Sequence, residues 1–334
     1  MVNQHSIKKI ASQLNVSIST ISAVLNGKTK ERRISPILAK KVEDYLKEIK
    51  FTPNKIAQNL RKGKSNILGV ILENIADPFF AVIARSLEIK ANKFGYKILF
   101  SSSENNPEIA SALLQTYKQY NVDAYIIAPP LGIEDQLNTL INEGKIIIVY
   151  DRGLANVPAH NVLVNNFDGV VNATSYLIEK GRKEIALITL NSNQSQMQDR
   201  LNGYKKAIKT HQLKSYILKL PYEKNVEVIK PRMLDFLKKY PNIDAILFTT
   251  NYLTSNGLHV LKLMNKAIPE DIAVIGYDDN HNFKLYTPSI TAVQQPIEEV
   301  TDKIIEIIET RTKNKEIDKD FYFATKLIER DSTK

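Results

Sequence analysis

The chain has 334 residues and a formal net charge of +10, long enough for two or three domains with a sizeable core. It holds no cysteine and no tryptophan, which excludes disulfides and thiolate metal sites and fits a reducing compartment. No run approaches the roughly 18 apolar residues of a membrane span, and MVNQHSIKKIASQLNV lacks the apolar core of a secretory signal, so a cytoplasmic protein with no membrane partner is expected.

The first predicted helix starts at Ser6, a residue suited to capping, with Ile7, Ile10, Ala11 and Leu14 on one face. Leu14-Asn15-Val16 leaves room only for a tight turn. Ser17 caps the next helix, where Ile21, Val24 and Leu25 form the apolar face before Asn26-Gly27 ends it. Ser35-Pro36 starts a third helix, with Leu38, Val42, Tyr45, Leu46 and Ile49 as its stripe. Two helices joined by a tight turn and braced by a third describe a helix-turn-helix domain.

The second helix is unusually bare. Ser19, Thr20, Ser22 and Ala23 replace the long charged residues of an ordinary surface helix. A recognition helix enters a major groove about 12 Å wide, so small side chains let its backbone come close. Hydroxyls can bond phosphates or bases, and Ile18 can press on a thymine methyl. The DNA-contact candidates here are Ser6, Ser17, Ile18, Ser19, Thr20, Ser22, Ala23 and Asn26. Charge agrees: residues 1–64 carry 14 Lys/Arg against 4 acids, the whole excess of the chain, while the remainder balances 32 against 32.

Thr52-Pro53 and NKIAQNLRKG follow, about ten helix-compatible residues, shorter than the roughly 12–15 needed for a stable isolated helix. Such a segment either folds on meeting a partner and DNA together or serves as a plain linker. From Ile67 the pattern changes to short apolar runs separated by amphipathic stretches: 67–72, 97–100, 123–128 and 145–150, then 184–189, 216–220, 244–250 and 272–277. Buried runs with helical crossovers predict parallel sheets covered on both faces, here as two doubly wound lobes. Ligands of such sheets bind beyond the carboxyl ends of the strands. Asp77, Phe79 and Phe80, Asp151-Arg152, Asn251-Tyr252 and Asp278 all fall there. Aromatic faces among bidentate polar groups suit a sugar.

The stretches SIKKIASQLNVSISTISAVLNG (6–27) and TPNKIAQNLRKGKSNILGVIL (52–72) resemble the lactose/galactose repressor (LacI/GalR) family of bacterial transcription regulators, and the likeness continues through the chain. It implies an all-α helix-turn-helix domain with a hinge helix, followed by an α/β, two-lobed, periplasmic-binding-protein-like domain of doubly wound parallel sheets. It further implies that the hinge helix pairs in the minor groove, with Asn54 and Ala57 against DNA and Leu60 as an apolar wedge that kinks the duplex. Arg200 and Gln295 join the effector-site candidates on the same ground. Two departures stand out: Ala23 where the family usually has arginine, implying a different operator, and Tyr252 where an aspartate is common, which removes a hydroxyl acceptor.

The expected layout is residues 1–51 for DNA binding, 52–64 for hinge and linker, and 65–331 for effector binding and dimerisation. Lobe one takes about 65–164 and 296–323, and lobe two about 165–295 and 324–331. The expected function is a repressor of pseudo-palindromic double-stranded operator DNA, working as a homodimer and modulated by a sugar in the cleft. A regulator controlled by a protein corepressor is the alternative. No P-loop, HExxH, GxSxG or cysteine nucleophile points to an enzyme, and no catalytic residue, cofactor or metal is expected.

Overall fold

The computed structural model describes residues 6–49, 51, 64–222 and 228–334. The expected hinge, with Asn54, Ala57 and Leu60, lies outside the described residues. The chain forms two compact units, Met1–Ser65 and Asn66–Lys334.

In the first unit, α1 (Ile7–Gln13), α2 (Ile18–Leu25) and α3 (Pro36–Glu48) each begin at a serine. The hydroxyls of Ser6, Ser17 and Ser35 accept from the amides of Lys9, Thr20 and Leu38 at 3.2, 3.1 and 3.3 Å. Each satisfies an orphan donor, worth about 0.5–2 kcal/mol. Asn15 turns the chain between α1 and α2 with φ 55°, and Gly27 leaves α2 with φ 66°. Ile10, Ala11, Ile21, Val24, Val42 and Leu46 make one small core, flanked by Leu38, Tyr45 and Ile49.

The second unit holds two six-stranded sheets. The first is built from β1 (Ile67–Leu72), β2 (Lys97–Ser102), β3 (Ala124–Ile127), β4 (Ile146–Tyr150), β5 (His160–Val164) and β11 (Asp320–Phe323), in the order β11-β5-β4-β3-β1-β2. Its described helices are α4 (Pro78–Lys93), α5 (Pro107–Gln119), α6 (Glu134–Asn142) and α11 (Ile297–Arg311). The second contains β6 (Ile185–Leu190), β7 (Tyr216–Leu220), β8 (Ala245–Phe248), β9 (Ala273–Tyr277), β10 (Thr291–Gln294) and β12 (Lys326–Ile328), ordered β12-β10-β9-β8-β6-β7. Around it lie α7 (Asn166–Glu179), α8 (Ser195–Thr210), α9 (Ile229–Lys239) and α10 (Asn251–Leu263). Each sheet is covered by an apolar cluster on either face, which is why its central strands read as continuous apolar runs.

Both lobes place their first strand between the second and the third, so the winding reverses there and opens a crevice at the carboxyl ends. Two features differ from the sequence reading. β5, β10, β11 and β12 are additional to the eight expected strands; they lie toward one side of each sheet and alternate burial or are very short. In addition β12 pairs antiparallel with β10, so the second sheet is not wholly parallel. The chain passes between lobes after β5, after β10, and between β11 and β12.

Candidate functional site

On α2, Ser17, Ser19 and Asn26 are exposed, Ile18 is 43% exposed, and Thr20 and Ser22 are half-buried. Ser6 is exposed at the start of α1. Some of these groups are engaged locally. The Ser17 hydroxyl lies 2.6 Å from that of Ser19 and 2.8 Å from that of Thr20, and the Asn26 amide donates to the Ser22 carbonyl at 2.7 Å. Ala23, expected on the contact face, is buried, with 6% exposure. The open face of α2 is therefore Ile18, Ser19 and their hydroxyl neighbours.

The second site lies between the lobes, where strand ends converge. Glu73, Asp77, Phe79, Phe80, Asn105, Asp151 and Arg152 line it from lobe one. Leu190, Ser192, Gln194, Gln196, Met197, Arg200, Tyr222, Thr250, Asn251, Tyr252 and Asp278 line it from lobe two. Asp151 and Asp278 occupy matching places, each following the buried tyrosine that ends β4 or β9, and each in the left-handed region with φ 66° and 62°. A non-glycine residue there is strained, though Asp tolerates it better than most, and such strain gathers at ligand sites.

Each aspartate has an arginine beside it. Arg152 donates from Nε to Asp151 Oδ2 at 2.7 Å and from Nη2 to Glu73 Oε2 at 2.5 Å. Burial works against the Arg152 charge, yet Asp151 and Glu73 outweigh it and raise the guanidinium pKa further. Arg200 donates from Nε to Asn166 Oδ1 at 2.8 Å and from Nη1 to the Thr249 carbonyl at 2.6 Å, and its guanidinium lies 3.7 Å from the Tyr277 ring centroid. Asp278 Oδ2 is 3.9 Å from Arg200 Nη1. Burial nonetheless pushes the Asp278 carboxyl up to about 7, against the pull of Arg200 and the Gln295 hydrogen bond. Burial raises Asp77 too, opposed by hydrogen bonds from Asn251 and the Phe79 amide.

Of the ten effector candidates, nine line this cleft and one stands behind it. Gln295 donates to Asp278 Oδ1 at 2.5 Å and is absent from the lining, so it orients the carboxylate. Phe80 reaches the cleft but is 5% exposed and belongs mainly to the lobe-one core, edge-on to Phe79 with centroids 5.0 Å apart. Glu73, Asn105, Gln194, Gln196, Asn166 and Tyr277 were missed. Glu73 directly follows β1 and Tyr277 ends β9, so strand ends marked them. Asn166 and Gln196 sit on helices, where only the fold reveals their direction.

Hydrogen bonds among the described residues join the lobes across the cleft. Asn251 Nδ2 donates to Asp77 Oδ1 at 2.9 Å, Gln194 Nε2 to Asn105 Oδ1 at 2.5 Å, and the Gly153 amide to Ser195 Oγ at 3.0 Å. The remaining cavity is about 50 Å³, room for a few waters on the usual measure. No three His, Asp or Glu among the described residues converge to hold a metal, and no described helix is long and apolar enough to cross a membrane.

A family profile described as bacterial regulatory proteins, lacI family, matches residues 6–54, and one described as a periplasmic binding protein-like domain matches 174–333. The HTH-type transcriptional regulator RegA of Clostridium saccharobutylicum is 29% identical over 98% of this chain and 99% of its own length. The chain thus carries a lacI-type regulatory head at residues 6–54 and a periplasmic-binding-protein-like domain at 174–333. Its relatives, including the ribose operon repressor of Halalkalibacterium halodurans at 27% identity over 98% of this chain and 97% of its own length, are transcriptional regulators rather than enzymes. Two solved structures share its fold. The lac repressor dimer bound to operator and the anti-inducer ONPF superposes with TM-score 0.85 at 19% identity, covering 98% of this chain and 99% of that one. A periplasmic binding protein/LacI transcriptional regulator from Alkaliphilus metalliredigens QYMF, complexed with D-xylulofuranose, gives 0.71 at 22% identity over 80% of this chain and 99% of that one.

Proposed function

We propose that this chain is a repressor whose affinity for a pseudo-palindromic operator is set by a sugar or sugar derivative in the cleft between the lobes. The twin arrangement carries the reading: Asp151 with Arg152 on one lobe faces Asp278 with Arg200 on the other, and Asn251 already reaches across to Asp77. A polyhydroxylated molecule satisfying both sets would favour one lobe angle. Its effect is limited by its differential affinity for the two states. Lobe closure is a hinge motion, and the three chain passages between lobes are where it would be absorbed.

Residues 1–51 would hold the operator through Ser6, Ser17, Ile18, Ser19, Thr20, Ser22 and Asn26. Residues 52–64 would act as the hinge, with Asn54, Ala57 and Leu60 at the minor groove. Dimerisation fits the apolar side chains left exposed on α4 (Val82, Ile89) and around the end of α10 and the following loops (Leu263, Leu285, Tyr286). The relatives' dimeric, operator-bound and sugar-bound forms support the same reading by analogy. Control by a protein corepressor is the second reading, favoured by a cleft that its own cross-lobe hydrogen bonds close down to about 50 Å³. Titrating neutral sugars and phosphorylated carrier proteins against DNA-bound protein separates the two. Under the first, sugars alone change DNA affinity and Asp278→Asn blunts the change. A response to carrier protein only, indifferent to Asp278→Asn, favours the second.

A further inference from the structure

The cleft carries more acid than base. Glu73, Asp77, Asp151 and Asp278 face it, against Arg152 and Arg200. Both guanidiniums already have partners: Arg152 is held by Asp151 and Glu73, and Arg200 by Asn166, the Thr249 carbonyl and the Tyr277 ring. Among the described residues Asp77 has no ion-pair partner, and Asp278 has only a long one, Arg200 at 3.9 Å. Ionised carboxylates in such a place are costly unless a positive group joins them.

A separate observation points to a ligand that donates. Gln196 is 3% exposed and lines the cleft, and among the described residues its Oε1 has no hydrogen-bond partner; the Tyr252 hydroxyl is likewise buried there. An amide oxygen and carboxylates accept hydrogen bonds and repel anions. Phe79, Tyr222 and Tyr252 set aromatic rings beside Glu73 and Asp77, and an ammonium is attracted to such ring faces. A metal is a poorer match, because no three ligating side chains among the described residues converge.

We infer that the cleft takes a polyhydroxylated ligand bearing an ammonium group, such as an amino sugar, and rejects phosphorylated or acidic sugars, with Glu73 and Asp77 as the specificity-determining carboxylates. This rests on the cleft being the sensing site. The ammonium would sit between Asp77 and Glu73 against the aromatic rings, and ligand hydroxyls would donate to Gln196 Oε1 and Asp278. Phosphate at the same place would face four carboxylates without a guanidinium to spare.

The test uses the full chain and calorimetric titration at pH 7 with glucose, galactose and mannose, each beside its 2-amino and 6-phosphate derivative. The expected result is that one 2-amino sugar binds at least roughly tenfold tighter than its parent, what desolvation of the ammonium leaves of the about thousandfold that one unit charge about 4 Å away gives at an effective dielectric near 20, while the phosphates do not bind. Asp77→Asn keeps a good helix cap and should bring that ratio close to one, as should Glu73→Gln. Gln196→Leu should weaken the amino sugar and so place it in the cleft. A parent sugar binding as well as its amino derivative, or a 6-phosphate whose binding is sensitive to Gln196→Leu, overturns the inference while leaving the cleft as the sensor. Binding indifferent to Gln196→Leu, or none by any of the nine compounds, overturns the sensor reading and this inference with it.

Discussion

Asp278 stands where two effects oppose each other: burial favours its neutral form, while Arg200 and Gln295 favour the anion, and burial prevails. Unfolded, the same carboxyl titrates near 3.9. Between about pH 4 and its folded value of about 7 the native state therefore holds a proton that the unfolded chain has lost. Its contribution makes stability fall as pH rises through that window and level off above it. Asp278→Asn should remove this part of the slope, which urea midpoints at pH 5 and pH 8 will measure; an unchanged difference would mean that Asp278 is ionised throughout. Arg200→Ala acts differently. It leaves the Thr249 carbonyl without its guanidinium donor and Asn166 Oδ1 with the Tyr277 hydroxyl, and it uncovers the Tyr277 ring, for an expected loss of about 2–4 kcal/mol in urea denaturation. At this scale the sequence was informative where a polar residue follows a strand directly, as with Asp151 and Asp278, or after two threonines, as with Asn251. At Gln295 and Ala23 packing, which the sequence does not show, decides whether the side chain faces outward, stands behind another group or is buried.

Among the elements, α7 and α8 cross closely, and a glycine makes this possible. A Cβ on Gly203 would lie 2.4 Å from the Phe167 carbonyl oxygen, a backbone atom that cannot step aside. Gly203 is three residues from Arg200, and Phe167 is next to its partner Asn166. Gly203→Ala should therefore cost about 1–3 kcal/mol of stability and also weaken cleft ligands by shifting the Arg200–Asn166 pair. Thermal unfolding and ligand titration check both; a loss of stability with unchanged ligand affinity would show that the helix spacing does not set the site. The segment 52–64 is the other element at issue. Leu60→Ala should reduce operator bending and lower specific affinity at least roughly tenfold while sparing non-specific binding, and unchanged bending in circularisation assays would return the segment to a plain linker. Helix starts were legible from Ser6, Ser17 and Ser35 with Pro36, because capping is local chemistry. The four additional strands were not, because HNVLV and DFYF draw their pairing from distant partners rather than from an apolar run of their own.

For the whole molecule, the decisive feature is the partition between a basic helical unit and an electrically balanced two-lobed one. Nearly all DNA affinity should reside in residues 1–64 and fall steeply with salt, since each neutralised phosphate releases counterions; tight duplex binding by residues 66–334 alone would refute that. The central claim is that occupancy of the cleft changes grip on DNA, a coupling that in such systems amounts to about 1–3 kcal/mol. The most direct measurement is an anisotropy titration of the full chain on a duplex it has selected from a random pool, with and without the sugar that binds the wild type, repeated with Arg200→Ala. The wild type should shift its DNA affinity at least about fivefold, and Arg200→Ala should bind the duplex with no shift at the same sugar concentration. A shift of equal size in both proteins, or none in the wild type, would contradict control through the cleft.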